Sequence, residues 1–152
     1  MSGSITMIDL DTVVSRVTGT TAAISTHSGK PGQGDIFVAL PKAAPVGPGG
    51  PDYSGAAAFL ADAVRAGAST VVCTEAVYAA AGLDAVEHGP LAVALVPDTR
   101  AALGTVAKAR FVTAAGNVRV FGITGPNGKT TSTHLLEAII RAAGHVPGVS
   151  GQ

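Results

Sequence analysis

The residues Thr124-Gly125-Pro126-Asn127-Gly128-Lys129-Thr130-Thr131 carry the types and spacing most able to do chemistry in this chain. Gly125 and Gly128 lack the Cβ atoms that would hold an anion away, and they permit positive φ. Lys129 adds a mobile positive charge suited to outer phosphates, and the Thr130 hydroxyl is placed to ligate Mg²⁺. The apolar stripe Leu135, Leu136, Ile139, Ile140, Ala143 predicts a helix directly after this turn. Val118-Arg119-Val120-Phe121-Gly122-Ile123, before it, reads as a strand. Backbone N–H groups at a turn and a helix start converge, and the helix dipole favours an anion there. The expectation is a nucleotide triphosphate site.

The strict phosphate-loop pattern, G-x-x-x-x-G-K-[ST], would need glycine at position 123, which is Ile123. A plain glycine turn joining strand to helix, with Lys129 solvated, is the bland alternative. The Gly-Lys-Thr-Thr end at the helix start favours the phosphate reading, because the mechanism requires those groups there.

The spelling resembles the ATP loop of the Mur ligases, the ATP-dependent amide-forming enzymes of peptidoglycan synthesis, usually written T-G-[TS]-N-G-K-T-T. Downstream, Leu135 to Ile140 and Ala143-Gly144-His145 look like that family's first central-domain helix, and 146–151 like the strand that follows. Upstream, Pro31-Gly32-Gln33-Gly34-Asp35-Ile36-Phe37-Val38-Ala39-Leu40 is similar to its P-G-D-[LI]-F-V-A-L segment. Ala66-Gly67-Ala68-Ser69-Thr70-Val71-Val72 resembles G-A-x-x-V-V, and Val96-Pro97-Asp98-Thr99-Arg100-Ala101-Ala102-Leu103 resembles V-x-D-x-R-x-A-L. The likeness runs in the right order over nearly the whole chain. It is strongest toward the UDP-N-acetylmuramoyl-dipeptide ligase branch (MurE type), with the D-alanyl-D-alanine-adding branch (MurF type) next. Folylpolyglutamate synthetases usually read Gly-Lys-Gly-Ser at this loop, so Gly128-Lys129-Thr130-Thr131 speaks against them.

Three departures stand out. Pro126 replaces the usual Thr or Ser; it has no N–H to offer a phosphate, and its fixed φ stiffens the turn. At Thr26-His27-Ser28-Gly29-Lys30 the family resembles T-D-S-R-x, whose Ser and Arg approach the uridine nucleotide. Here Ser28 is kept, while His27 and Gly29 stand in place of Asp and Arg. Ser28 is therefore the one residue carried over as a UDP-sugar contact, against a bland solvated Gly/Lys loop. Pro41 to Pro51 contains four prolines and three glycines, which excludes helix or central strand and predicts a surface excursion, with an enlarged loop near the sugar-nucleotide site as the alternative.

The supporting elements follow from periodicity. Met7, Leu10, Val13, Val14 and Val17 predict a first helix. Ile36 to Leu40 reads as a strand, Ala56 to Ala66 as a helix closed by Gly67, and Thr70 to Thr74 as a strand. Glu75 to Ala81 predicts a short helix ending at Gly82. Leu91 to Val96 predicts a strand, after which Asp98 caps a helix reaching about Ala109. Strands alternating with helices imply parallel pairing and an α/β fold. The expected organisation is a Mur-ligase-like N-terminal, UDP-sugar-binding domain over 1–113, then the start of an ATP-binding central domain over 117–152. That second part would be a strand–P-loop–helix–strand unit.

Composition excludes several classes. Hydrophobic content of 47% with 13% charged residues describes a chain able to build a core. Net charge is zero with no basic cluster, so a nucleic-acid partner has no electrostatic footprint. No apolar run reaches the ~18 residues of a membrane span, and no signal peptide is evident at Met1-Ser2-Gly3-Ser4. The single Cys73 cannot form an internal disulfide, which fits a cytoplasmic protein, and its apolar setting reads as a buried structural thiol. His27, His88, His134 and His145 show no metal-ligand spacing; His134 reads as a partly exposed helical residue. Asp98 and Arg100 read as a helix cap and a solvated cation rather than a catalytic pair.

The resemblance implies a reaction joining an amino acid to the carboxylate of a UDP-muramyl peptide. A carboxylate is a poor acyl donor; phosphorylation by ATP converts it to an acyl phosphate, from which the incoming amine displaces phosphate. The backbone of Gly125, Pro126, Asn127 and Gly128, with Lys129, Thr130 and Thr131, would bind ATP, Lys129 would act on the β/γ-phosphates, and Thr130 would hold Mg²⁺. Further metal ligands and the amino-acid site lie beyond these motifs in the family, so the chain is expected to be a fragment, inactive alone. Two other readings stay open: a non-catalytic nucleotide-sugar-binding or regulatory module, and a small P-loop phosphotransferase with Asp98, after the Leu91–Val96 run, as its Walker-B carboxylate.

Overall fold

The computed structural model describes residues 3–27, 29, 31–42, 52–115 and 118–150. The chain divides into two compact units, Met1–Gly116 and Asn117–Gln152.

The first unit is an α/β layer around one parallel sheet. Its strands are β1 (Ile5–Ile8), β2 (Ile24–Ser25), β3 (Ile36–Val38), β4 (Thr70–Cys73) and β5 (Leu91–Leu95). Their spatial order is β1-β5-β4-β3-β2, with every pairing parallel. Helices α1 (Leu10–Gly19), α2 (Ala56–Arg65), α3 (Glu75–Ala81) and α4 (Thr99–Ala115) cover its faces.

Register explains why the strands are apolar on both sides. Phe37 pairs with Val71 and Val71 with Val93, so these three share one face. They pack with Leu60 and Val64 of α2 and Val77 of α3. Val38, Val72 and Ala94 form the next row, on the opposite face, with Val13 and Val17 of α1 and Val106 of α4. Parallel strands covered by helices on both faces read as continuous hydrophobic runs, as Thr70–Cys73 and Leu91–Leu95 do. Each fully buried valine or leucine contributes roughly 1.5–3 kcal/mol. The two clusters therefore outweigh any surface pair in holding the unit together.

Local chemistry sets the helix ends. Asp9 Oδ1 accepts the Thr12 N–H at 2.8 Å, opening α1, and the Thr74 hydroxyl accepts from the Val77 N–H at 3.4 Å, opening α3. Gly82, at φ 56°, closes α3 in a left-handed conformation that suits glycine. Asp98 Oδ1 accepts the N–H groups of Arg100 and Ala101 at 2.8 and 3.2 Å, the cap expected from the sequence. The helix it opens runs on to Ala115, beyond Ala109.

Two strands went unread. Met7 lies in β1, not in the first helix, because Ile5–Ile8 pairs with Leu91–Ala94 and Asp9 starts the helix one residue later. The two-residue β2 is too short to show periodicity. Residues 43–51 of the proline-rich excursion lie outside the described residues.

In the second unit, α5 spans Lys129–Ala142, as the apolar stripe predicts. The strands expected on either side of it do not form. Residues 118–124 and 145–150 are in no strand, and Val118, Val120 and Phe121 are 66%, 88% and 62% exposed. A strand is completed by a neighbour that takes up its N–H and C=O groups. Among the described residues of this unit there is none, so the expected strand–loop–helix–strand unit is a loop and a helix here.

Candidate functional site

The glycine loop reaches α5 through two unusual backbone positions. Gly125 has φ 144° and Gly128 φ 78°. Gly128 is the N-cap of α5, and no side chain caps that end. The first amides of a helix have no partner within it, and the Ser132 N–H is the one that closes the first turn, onto the Gly128 carbonyl at 2.9 Å. Lys129 folds back across the loop, its Nζ donating to the Gly125 carbonyl at 2.7 Å. Lys129, Thr130 and Thr131 are exposed, so an ammonium, two hydroxyls and a set of amides face solvent within one short segment. A Cβ built at Gly128 would meet nothing within 4 Å, which leaves room above the helix start. The donor set is suited to an anion, with a hydroxyl of the kind that ligates a hard cation.

Farther along α5, His134 Nδ1 lies 3.5 Å from Glu137 Oε2, and Arg141 donates to Glu137 Oε1 at 2.7 Å. These bonds, Arg141 first, hold the Glu137 carboxyl below its ordinary value. His134 is exposed on the helix, as its sequence position suggests. A recess of about 430 Å³ runs along this face, lined by His134, Glu137, Ala138, Arg141 and Ala142. All five belong to one helix, so among the described residues no group from a second element converges on it.

The first unit presents a different polar assembly at the carboxyl ends of its strands. The chain leaves β4 into α3 on one face and β5 into α4 on the other. In open α/β sheets ligands favour the place where connections diverge in this way. Beyond β3, the Lys42 N–H donates to the Asp52 carbonyl at 2.8 Å, and Lys42 Nζ donates to Ser54 Oγ at 2.8 Å. Ser54 donates in turn to Asp52 through its N–H and hydroxyl, at 2.7 and 3.0 Å. Those two bonds, with a smaller pull from Lys42, hold the Asp52 carboxyl below its ordinary value. Tyr53 Oη and the fully buried Thr99 Oγ1 are 3.2 Å apart.

Arg100 corrects a sequence expectation. It is not simply a solvated cation: its Nη2 donates to the Lys42 carbonyl at 3.0 Å, across 58 residues of chain. Composition could not reveal this, because the contact depends on β3 and β5 both ending at the same edge. Sequence reasoning met Tyr53 and Thr99 only as parts of family-like segments and gave neither them nor Lys42 a role in a site. Asp98 has its Oδ1 engaged in capping, and Cys73 is fully buried, its thiol pushed up to about 12 by desolvation.

Ser28, the candidate UDP-sugar contact, lies outside the described residues; its neighbour His27 bonds Ser25 Oγ through its N–H at 3.2 Å and its carbonyl at 3.0 Å. Among the described residues no three His, Cys, Asp or Glu side chains gather as a metal cluster, and no helix is long and apolar enough to cross a membrane.

No family profile matches the chain. Individual curated proteins do. It is 36% identical over 129 residues, 84% of its own length and 23% of the relative's, to the UDP-N-acetylmuramoyl-L-alanyl-D-glutamate--2,6-diaminopimelate ligase of Lawsonia intracellularis. The protein of the same name from Aquifex aeolicus is 33% identical over 150 residues, 99% of this chain and 26% of the relative. That of Gloeobacter violaceus is 33% identical over 121 residues, 80% of this chain and 22% of the relative. The chain thus spans about a quarter of the length of the curated relatives it matches. Several independent matches under one enzyme name, carried by a parallel α/β sheet and a glycine loop opening a helix, identify the chain as a member of the Mur ligase family.

Proposed function

We propose that this chain belongs to an ATP-dependent ligase that adds an amino acid to a UDP-muramyl peptide during peptidoglycan precursor synthesis. The observation that carries the reading is the segment Gly125–Thr131, where uncapped amides, the Lys129 ammonium and the Thr130 hydroxyl lie together at the start of α5. The names of the relatives supply the acceptor class. In this reading the first unit takes the UDP-sugar, with Ser28 among its contacts, and the second takes the nucleotide.

ATP would supply the phosphoryl group that activates the substrate carboxylate, and Mg²⁺ would offset the charge on its phosphates. The chain's own part is positional and electrostatic. The amides at Asn127, Gly128, Lys129, Thr130 and Thr131 would orient phosphate oxygens, with Thr130 on the metal ion. Lys129 would exchange the Gly125 carbonyl for phosphate oxygens, gaining an anionic acceptor for a neutral one. The reading implies a cytoplasmic location, where nucleoside triphosphates are available.

The test uses the full-length gene product with Mg·ATP, a UDP-muramyl dipeptide and candidate amino acids, following phosphate release and the coupled product. Ligation that Lys129→Ala lowers at least about a hundredfold supports the reading, since one electrostatic donor at a transition state is worth about that much. Ligation indifferent to Lys129→Ala, or no ligation at all, overturns it.

A further inference from the structure

Arg100 and Tyr53 tie two separate exits of the sheet together. Arg100 lies in the first turn of α4, just past β5, and Lys42 lies just past β3, two strands away in the order β5-β4-β3. The Arg100 guanidinium donates to the Lys42 carbonyl at 3.0 Å, while the Lys42 N–H is held by the Asp52 carbonyl at 2.8 Å. The peptide groups on both sides of Lys42 are therefore pinned. One residue on, Tyr53 meets the buried Thr99 at 3.2 Å, a second bond from this exit to the start of α4. Lys42, Asp52 and Ser54 are bonded to one another in a short relay.

The two anchors of this assembly, past β3 and past β5, flank β4 in the strand order, and the connections leaving β4 and β5, to α3 and α4, go to opposite faces of the sheet. Rigid backbone at that edge is what a ligand in an open α/β sheet is read against. A helix-start arginine spanning two strands adds little to stability at an exposed position. It can, however, decide the orientation of the backbone at which a substrate docks.

We propose that Arg100 is a positioning residue for the UDP-muramyl substrate: through the Lys42 carbonyl it sets the backbone at the β3 exit, with the Tyr53–Thr99 bond as its second anchor. The inference rests on the ligase reading above and adds where that substrate is aligned. Arg100 contacts no reacting group in it, so its loss acts on one substrate and not on the phosphate loop.

Steady-state kinetics of the full-length enzyme, varying UDP-muramyl peptide and ATP separately, test it. Arg100→Ala should raise KM for the UDP-muramyl peptide about tenfold, the worth of about one hydrogen bond between substrate and a backbone no longer held in place. The KM for ATP and the melting temperature should stay near wild type. Arg100→Lys should recover part of the loss, since an ammonium reaches a carbonyl with a single, less directed donor. An unchanged KM for the UDP-muramyl peptide, or an equal rise in both KM values, overturns the inference and leaves the ligase reading standing. Should Arg100→Ala fail to fold, Tyr53→Phe decides: a rise of about threefold in the same KM supports the anchor, and no rise refutes it. A wild-type enzyme that turns over no UDP-muramyl peptide sinks the ligase reading, and the inference with it.

Discussion

Helices α2 and α5 are both amphipathic, yet they end in opposite circumstances. In α2, Ala56, Leu60, Ala61, Ala63 and Val64 are buried against the sheet. In α5 no residue is buried, and Leu135 and Ile139 are 63% and 57% exposed. The same sequence logic wrote both stripes. An apolar face shows what a helix is able to bury; the presence of a facing surface decides whether it does. The first unit supplies one through five paired strands, and the described part of the second does not.

The largest effect expected from that contrast is on stability. Leu60→Ala removes a fully buried side chain and should cost about 2–5 kcal/mol in denaturant unfolding. Ile139→Ala, an equally drastic change in side-chain size, should shift the same curve by less than about 0.5 kcal/mol. Equal losses at both positions would mean that α5 is covered in solution, and the contrast would fail.

The same difference explains what the sequence could tell. Apolar runs wherever helices cover both faces made β3, β4 and β5 readable from composition, and Asp98 and Gly82 announced their helix ends by chemistry alone. The run 118–123 has equally good strand composition, but a strand needs a ladder partner and composition cannot promise one. β1 was hidden for another reason: Met7 falls at a helical spacing from Leu10 and Val14, and the true boundary is the Asp9 cap between them. In the candidate sites, the glycine loop was legible because its chemistry is local to eight residues. Arg100 and Lys42 were not, because their bond is made by strand order.

A second effect concerns the buried thiol, and its sign follows from linkage. Desolvation raises the folded pKa of Cys73 to about 12 from an ordinary 9.0, so the folded state keeps a proton that the unfolded state releases. The stability this represents is complete below pH 9 and is lost as pH rises toward 12. Comparing wild type with Cys73→Ala isolates it. The wild-type advantage should shrink by up to about 1.4 kcal/mol per pH unit in that window. A constant difference from pH 8 to 11 would show that the thiol is open to solvent, and the first unit less tightly packed than β4 implies.

A smaller effect separates the helix starts. Asp98→Ala removes the acceptor for two N–H groups of α4 and should destabilise the first unit by about 1 kcal/mol. No substitution of this kind exists for α5, whose N-cap is Gly128 without a side-chain bond. Consequently an anion should protect the amides of Lys129, Thr130 and Thr131 from hydrogen exchange while leaving those of Arg100 and Ala101 unaffected. Protection of both sets, or of neither, would remove the distinction between a capped structural end and an open one.

The least effect lies on the exposed face of α5 and reads its electrostatics directly. Hydrogen bonds from Arg141 and then His134 hold the Glu137 carboxyl below its ordinary 4.5, so any support it lends the helix is present above that pH and fades as pH falls through the lowered value. An NMR titration of the Glu137 carboxyl carbon should therefore show a midpoint below 4.5. Arg141→Ala should move the midpoint upward by more than His134→Ala, in the order of the two contributions. The opposite order would mean that the 2.7 Å Arg141 bond is not held in solution.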